Sequence, residues 1–461
     1  MATIRIPESL WGAARAHLFG APGEHFAFYR ARWTSSSGEP VFLVRGIILV
    51  PDTEVVFGRD GMEVSPAGIL DAVNAAVKAG DSLIEIHNHG GAMPRFSITD
   101  RQNIPEFVKY ILSSLPGRPY AATVWGDERV YGEYFLPDGR SGDIASITVV
   151  GRRLRQVASL DDDQDDMLPI FDRQIAWFTR DGQQQLARLR VAVVGCGGTG
   201  SQTLQSLVYL GCRNLVLVDS DVVVPSNMNR LVTATAADIG TPKVILGRRV
   251  IRSVAPDARV LVFEKELRAP EVLDALKGVD VLFGCVDNDG ARLILNELAL
   301  AYGIPFFDLS VGIEVEEEHV EVVGGRVSTV LPGGPCLHCM HEIDLREAGH
   351  FLSAAEEQLL NVDFGYVVGV DVAAPAVISL NALVSAAGVN EFLTLVSGLR
   401  DTSPNSNYDL LGSGRRVKGQ WMAPIISKKD PACIQCAMAG MGDEAEIEAR
   451  YAEPARSEGC V

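Results

Sequence analysis

The sequence predicts an α/β protein of two domains, the second built on a doubly wound parallel sheet. Three observations carry this. At 461 residues and 47% hydrophobic content, the chain is long enough for two or three cores. From Arg190 onward, apolar strand-length runs alternate with helix-length segments, the pattern of a sheet buried on both faces. The acidic run Asp161-Asp162-Asp163-Gln164-Asp165-Asp166 separates that pattern from a shorter α/β segment. The expected boundaries are 1–150 for the first domain, 151–168 for an acidic linker, 169–440 for the second domain and 441–461 for a tail.

The first domain reads as a helix over Glu8–Phe19, then strands over Phe26–Arg32 and Val41–Val50. A helix follows at Pro66–Ala79, then a strand from Ser82, a helix from about Asp100 to Leu115, and strands at Ala121–Trp125 and Val130–Phe135. The second domain opens on the strand Arg190–Val194. Helices at Ser201–Leu210, Pro242–Val254, Pro270–Leu276 and Gly290–Tyr302 then alternate with strands at Asn214–Asp219, Arg259–Glu264, Val279–Cys285 and Pro305–Asp308.

The formal charge of −18 argues against a nucleic-acid backbone as the main partner. No apolar run approaches the roughly 20 residues that cross a bilayer, so no membrane partner is expected. The opening Met-Ala-Thr-Ile-Arg-Ile-Pro-Glu lacks an apolar leader core, which makes the cytoplasm the expected location.

Two stretches carry chemistry. His87-Asn88-His89 ends an apolar strand, and alternation puts both imidazoles on one face. Ser97 and Asp100 follow at the spacing of a helix start. Two imidazoles and one carboxylate make a three-ligand zinc site with its fourth position left for water, the arrangement of a catalytic zinc. Farther on, Gly195, Gly197, Gly198 and Gly200 follow a strand and open a helix, whose N–H groups suit a phosphate. Asp219, at the next strand end, is placed for ribose hydroxyls. Of eight cysteines, Cys336/Cys339 and Cys433/Cys436 form two CxxC pairs, four thiolates for a closed structural zinc.

The blocks around the glycine loop resemble the ubiquitin-activating, ThiF/MoeB-type adenylyltransferases. They are Arg173-Gln174, Asp219-Ser220-Asp221, Asn227-Met228-Asn229-Arg230, Lys243, and Asp287-Asn288 followed by Arg292. The resemblance implies a Rossmann-like adenylyltransferase domain using ATP and Mg²⁺, in which Asn229, Arg230 and Lys243 suit the phosphates and Asp287 suits a metal or the base-side network. It also implies a homodimer in which Arg173 enters the partner copy's site, and a structural zinc on the two CxxC pairs.

The window from His87 to Asp100 resembles the JAMM (JAB/MPN) metallopeptidase motif, with Gly90 where proline is usual. That resemblance implies a JAB/MPN α/β fold for the first domain and zinc on His87, His89 and Asp100. It further implies Ser97 at the oxyanion and an upstream glutamate as general base. Glu24 fits that place by order, and Glu85 is the rival.

Many relatives of the second domain pass the activated protein to a cysteine beyond the first CxxC. This chain has none between Met340 and Ala432. Direct transfer of the adenylate, an ester on a hydroxyl such as Ser353, and a thioester on Cys460 are the three options, the first ranked highest. Together the halves point to a ubiquitin-like protein with a C-terminal Gly, trimmed or released by one half and activated by the other. A conjugating-enzyme-like protein is a further expected partner. Adenylation of a short peptide or small metabolite is the alternative, and a binding-only role for one half is the third reading.

Overall fold

The computed structural model describes residues 2–57, 62–89, 94–127, 129–157, 169–316, 319–353, 376–411, 420–421 and 428–453. Gly90, the acidic run and Cys460 lie outside the described residues. The chain divides into two compact units, one of Met1–Asp166 with Gly440–Glu444, the other of Met167–Ala439 with Ala445–Val461.

The first unit is a mixed sheet that closes on itself. Its strands are β1 (Ala2–Pro7), β2 (Phe26–Ser36), β3 (Glu39–Leu49), β6 (Ser82–Asn88), β7 (Tyr120–Trp125), β8 (Val130–Phe135), β9 (Ser141–Val150) and β10 (Leu154–Val157). They run in the order β1-β3-β2-β6-β7-β8-β9-β10, with β4 (Val55–Phe57) and β5 (Met62–Val64) as a separate pair. β1 pairs in parallel with both β3 and β9, which completes the ring. Inside it, Trp11 stacks on Trp125 at 4.3 Å beside the buried Tyr29, Ile84 and Ile86. The other face of the sheet packs Phe26, Phe28, Val124 and Ala122 against helices α2 (Pro66–Ala79) and α3 (Ile98–Ser114).

Sequence periodicity locates most of these elements but misses β1, β4, β5, β9 and β10. β10 pairs with β9, so residues 154–157 continue the sheet where a linker was expected from 151. Ala2, Ile4 and Ile6 alternate with Thr3 and Arg5, the period of a strand, in a segment too short to stand out beside the helix that follows.

The second unit orders its strands β13-β12-β11-β14-β15-β16-β17-β18. The parallel part comprises β11 (Arg190–Val194), β12 (Asn214–Val218), β13 (Arg259–Phe263), β14 (Val281–Gly284) and the start of β15 (Phe306–Glu316). Strand order reverses between β11 and β14, which opens a crevice at their C-terminal ends. β16 (His319–Val330), β17 (Asn405–Asp409) and β18 (Gln420–Trp421) add an antiparallel edge. The helix α8 (Asp289–Tyr302) is buried along its whole length.

One expectation about apolar length is corrected. The helix Ile378–Ser397 is long and apolar enough by composition to cross a membrane. Its Leu380, Val384, Phe392 and Leu395 are buried within the second unit, as in a core helix. The described residues past 440 include a short helix at Ile447–Tyr451.

Candidate nucleotide site and metal centres

The loop between β11 and α5 (Gly198–Tyr209) explains its own glycines. Gly195 has φ +87°, and a Cβ there would stand 2.5 Å from the Cys285 carbonyl oxygen. A Cβ at Gly200 would overlap the Gly195 carbonyl, and one at Gly198 would overlap the side-chain amide of Asn381. At Gly197 a Cβ would meet nothing within 4 Å. Gly195 and Gly200 therefore let backbone pack on backbone, Gly198 makes room for the Asn381 side chain, and Gly197 faces open space at the head of a helix, a cradle for phosphate.

Asp219 is placed differently from expectation. Its Oδ2 accepts from the Cys196 N–H at 2.6 Å and its Oδ1 from the Asp221 N–H at 2.8 Å. The carboxylate braces the glycine loop, and burial lifts its pKa. Asp221 in turn pairs with Lys243, Oδ2 to Nζ at 2.6 Å. Arg230 donates to the Ser226 carbonyl at 2.7 Å and to Asn229 Oδ1 at 3.2 Å. Asn227 turns its Oδ1 toward the Val224 N–H of its own short helix. Asp287 is exposed at the strand end, whereas Asn288 caps α8 by accepting from the Ala291 N–H at 2.8 Å. Arg173 is exposed on the helix Asp172–Arg188.

The four CxxC cysteines converge. Cys336 Sγ lies 3.7 Å from Cys339 Sγ and 3.7 Å from Cys433 Sγ, and Cys339 Sγ lies 3.5 Å from Cys436 Sγ. Sulfurs about 2.3 Å from a tetrahedral zinc stand roughly 3.8 Å apart, whereas a disulfide needs about 2.05 Å. The four residues therefore fit a zinc ion. His338 Nδ1 lies 3.6 Å from Cys433 Sγ.

Among the described residues the other three cysteines are Cys196 and Cys212, both buried, and Cys285, partly buried. Burial pushes Cys285 and Cys212 up to about 12 and Cys196 well above its ordinary range. None offers a thiolate near neutral pH.

In the first unit, His87 and His89 aim their Nε2 atoms at one carboxylate oxygen. Asp100 Oδ2 lies 3.7 Å from His87 Nε2 and 3.5 Å from His89 Nε2. Nitrogen and oxygen ligands about 2.0–2.2 Å from a tetrahedral zinc stand roughly 3.4 Å apart. His87 Nε2 is buried and has no hydrogen-bond partner among the described residues, as a ligand atom awaiting a metal would be. The opposite ring nitrogens are held from behind. His89 Nδ1 lies 3.0 Å from the Arg95 carbonyl, and His87 Nδ1 faces Glu85 Oε1 at 3.4 Å. Tyr120 donates to the other Glu85 oxygen at 2.7 Å. Carbonyl and carboxylate neighbours favour the tautomer that leaves Nε2 free for a metal. Burial opposes the charged form of His87, yet Asp100 and Glu85 outweigh it and lift the imidazole to about 9.

Ser97 caps α3, accepting from the Asp100 N–H at 3.1 Å, and Asp100 Oδ2 accepts from the Ser97 N–H at 2.6 Å. The cap places the carboxylate beside the two imidazoles, and the Ser97 hydroxyl also bonds that carboxylate. Glu24 Oε1 lies 3.9 Å from His89 Nε2 on the open side of the cluster, with a half-exposed side chain. Glu85 sits behind His87, so of the two glutamates Glu24 is the one facing the ligand atoms.

Residues 171–435, more than half of the chain, match the sequence model of the ThiF family. The chain belongs to the ThiF family. The SAMP-activating enzyme E1 of Haloferax volcanii is 36% identical over 160 residues, covering 35% of this chain and 56% of that protein. The sulfur carrier protein adenylyltransferase of Thermus thermophilus is 30% identical over 167 residues, covering 35% of this chain and 58% of that protein. This ThiF-family chain thus spans somewhat over half the length of these two curated relatives. A crystal structure of E. coli MccB with AMPCPP and MccA is 12% identical, covers 89% of this chain and 99% of that chain, and superposes with a TM-score of 0.46.

The family match begins after residue 166, so it does not include the His87, His89 and Asp100 cluster. Two residues of this ThiF-family chain escape sequence reasoning, Asn88 beside the histidines and Asn296 inside α8. Alternation marks Asn88 as facing away from its neighbours, and buried polarity in an apolar helix marks Asn296; neither signal names a partner.

Proposed function

We propose that the chain adenylates the C-terminal glycine carboxylate of a ubiquitin-like protein and that its first unit is a zinc peptidase or isopeptidase acting on the same class of protein. The ThiF-family match over 171–435 carries the first half, because it spans the glycine loop, Arg230, Lys243 and Asp287. The names of the Haloferax and Thermus relatives support a ubiquitin-like or sulfur-carrier substrate.

In adenylation a carboxylate oxygen attacks the α-phosphorus of ATP, and the bond to the departing pyrophosphate breaks. Negative charge moves onto that pyrophosphate, so cations must already be aimed there. Lys243, tethered to Asp221, and Arg230, anchored on Ser226, are proposed to meet the phosphates together with Asn229. Asp287 would hold Mg²⁺, which when bound neutralises phosphate charge. Arg173 is proposed to act from a second copy in a homodimer. The buried Cys196 and Cys212, with a Cys285 thiol that desolvation pushes up, support direct transfer of the adenylate to an acceptor or to a conjugating-enzyme-like protein. A cytoplasmic setting is part of this reading.

The convergence of His87, His89 and Asp100 carries the second half. Zinc on those residues would supply Lewis acidity and an activated water. Glu24 would accept the water's proton and return it to the leaving amine, while the Ser97 hydroxyl donates to the carbonyl oxygen. Trimming a C-terminal extension exposes the carboxylate that the second unit activates, and cleaving an isopeptide bond restores it.

Pyrophosphate exchange into ATP tests the adenylating half. Exchange should require a ubiquitin-like protein ending in Gly, and exchange driven instead by a short peptide or metabolite would replace that substrate. Cleavage of a tailed form of the same protein tests the other half, with Glu24→Ala inactive and still zinc-loaded.

A further inference from the structure

The antiparallel pairing of β2 with β6 runs from Ala31↔Ser82 to Phe26↔His87. One residue past that end, a side chain takes over from the backbone. Asn88 Oδ1 accepts from the His25 N–H at 2.6 Å, and Asn88 Nδ2 donates to the Gly23 carbonyl at 3.0 Å. The residue between those two main-chain groups is Glu24. A 5% exposed amide thus brackets the carboxylate that faces the metal ligands.

The bracket joins two elements that must keep register. His87 and His89 flank Asn88 in the chain, so any shift of the ligand strand carries the amide with it. The Glu24 segment has little other order, since Ala21, Pro22 and Gly23 are exposed and Gly23 takes φ +114°. Its remaining ties are made by the His25 ring, to Asp52 Oδ1 at 3.1 Å and to the Ala21 carbonyl at 3.3 Å. Among side chains of this length, only a primary amide both accepts from an N–H and donates to a C=O. Aspartate lacks the donor and leucine lacks both.

We propose that Asn88 is a positioning residue for Glu24, fixing the backbone on both sides of that carboxylate and so its distance from His87, His89 and Asp100. This rests on reading the cluster as a zinc hydrolase centre. Asn88 touches no ligand atom itself, so its loss should displace Glu24 and spare the metal.

The test uses the full chain with zinc kept on the four cysteines and Co²⁺ replacing only the more labile ion on His87, His89 and Asp100, where its visible bands report the open ligand position that Glu24 faces. Glu24→Gln should change those bands. Asn88→Ala should reproduce at least half of that change, and the double variant should add nothing to Glu24→Gln alone. Cobalt affinity should fall by much less than the roughly tenfold loss expected when a group bonded to a ligand is removed. Asn88→Asp, nearly isosteric, should show the same change in weaker form with an unaltered melting temperature, which separates positioning from unfolding. Wild-type bands in both Asn88 variants, or an additive change in the double variant, would overturn the proposal. Failure of the underlying reading looks different: the wild-type chain would bind no cobalt at His87, His89 and Asp100, or Glu24→Gln would leave the bands untouched, and either result overturns both.

Discussion

Asn296 and Gln435 share a buried hydrogen bond of 2.6 Å, and the same Asn296 side chain accepts from the Leu337 N–H at 3.0 Å. Leu337 lies between Cys336 and Cys339, and Gln435 between Cys433 and Cys436. One side chain in the middle of α8 therefore holds both cysteine knuckles. The same helix begins at Asn288, beside Asp287, so the structural zinc and the nucleotide site share a support.

Removing that side chain strands a buried N–H and a buried amide oxygen, each worth about 1–3 kcal/mol when left unpaired. Asn296→Ala is expected to lower the melting temperature by several degrees and to speed loss of the CxxC-bound zinc to a chelator. Thermal melting and a colorimetric zinc-release assay check both. An unchanged release rate would mean the knuckles hold their shape without α8.

The two metal clusters should differ in lability. Four thiolates close the CxxC site, while three ligands leave the histidine site open. Purified chain is expected to carry two zinc ions, with a moderate chelator taking the one on His87, His89 and Asp100 first. His87→Ala should lower the content by one ion and leave pyrophosphate exchange intact. Elemental analysis with an exchange assay reads both, and exchange lost along with that ion would contradict independent sites.

The pH dependence of metal binding follows from His87. In the metal-free chain its pKa stands at about 9, above the ordinary value of 6.5, because Asp100 and Glu85 outweigh burial. That raised pKa stabilises the metal-free fold fully below pH 6.5, an effect lost as pH rises through about 9. A metal needs the neutral ring, so binding at pH 7 must expel a proton. Apparent zinc affinity is expected to climb about tenfold per pH unit from 6 to 9 and then level off. Calorimetry in buffers of different ionisation enthalpy should count about one proton released per ion at pH 7.5.

Much of this was legible in the sequence where one residue type had one physical use. Pro66–Ala79 and Val130–Phe135 match their observed bounds because a proline, a left-handed Gly80 or a clean alternation marks their ends. The histidine and cysteine spacings announced their clusters because metal ligands tolerate few alternatives. What stayed hidden depends on partners distant in the chain. β1 acquires its place only by pairing with β3 and β9. Asp219 reads from sequence as a ribose ligand, and its bracing of the glycine loop through the Cys196 and Asp221 N–H groups was not legible, because those partners meet it only in the fold.

The glycine loop allows packing and ligand binding to be separated at neighbouring positions. Gly195→Ala and Gly200→Ala each force a methyl group into a main-chain carbonyl, so both should destabilise the second unit. Gly197→Ala adds its methyl to open space at the head of α5, and its φ of −75° suits alanine, so the fold should melt as wild type does. That methyl would occupy the cradle proposed for phosphate, and loss of close backbone approach should weaken ATP binding by about 1.4 kcal/mol or more, a factor of ten. Melting curves with and without ATP distinguish the cases: at one ATP concentration the midpoint of the wild type should rise clearly more than that of Gly197→Ala. A variant that melts normally and still gains full stability from ATP would place the nucleotide away from this loop, and the adenylation site would have to be sought elsewhere in the crevice between β11 and β14.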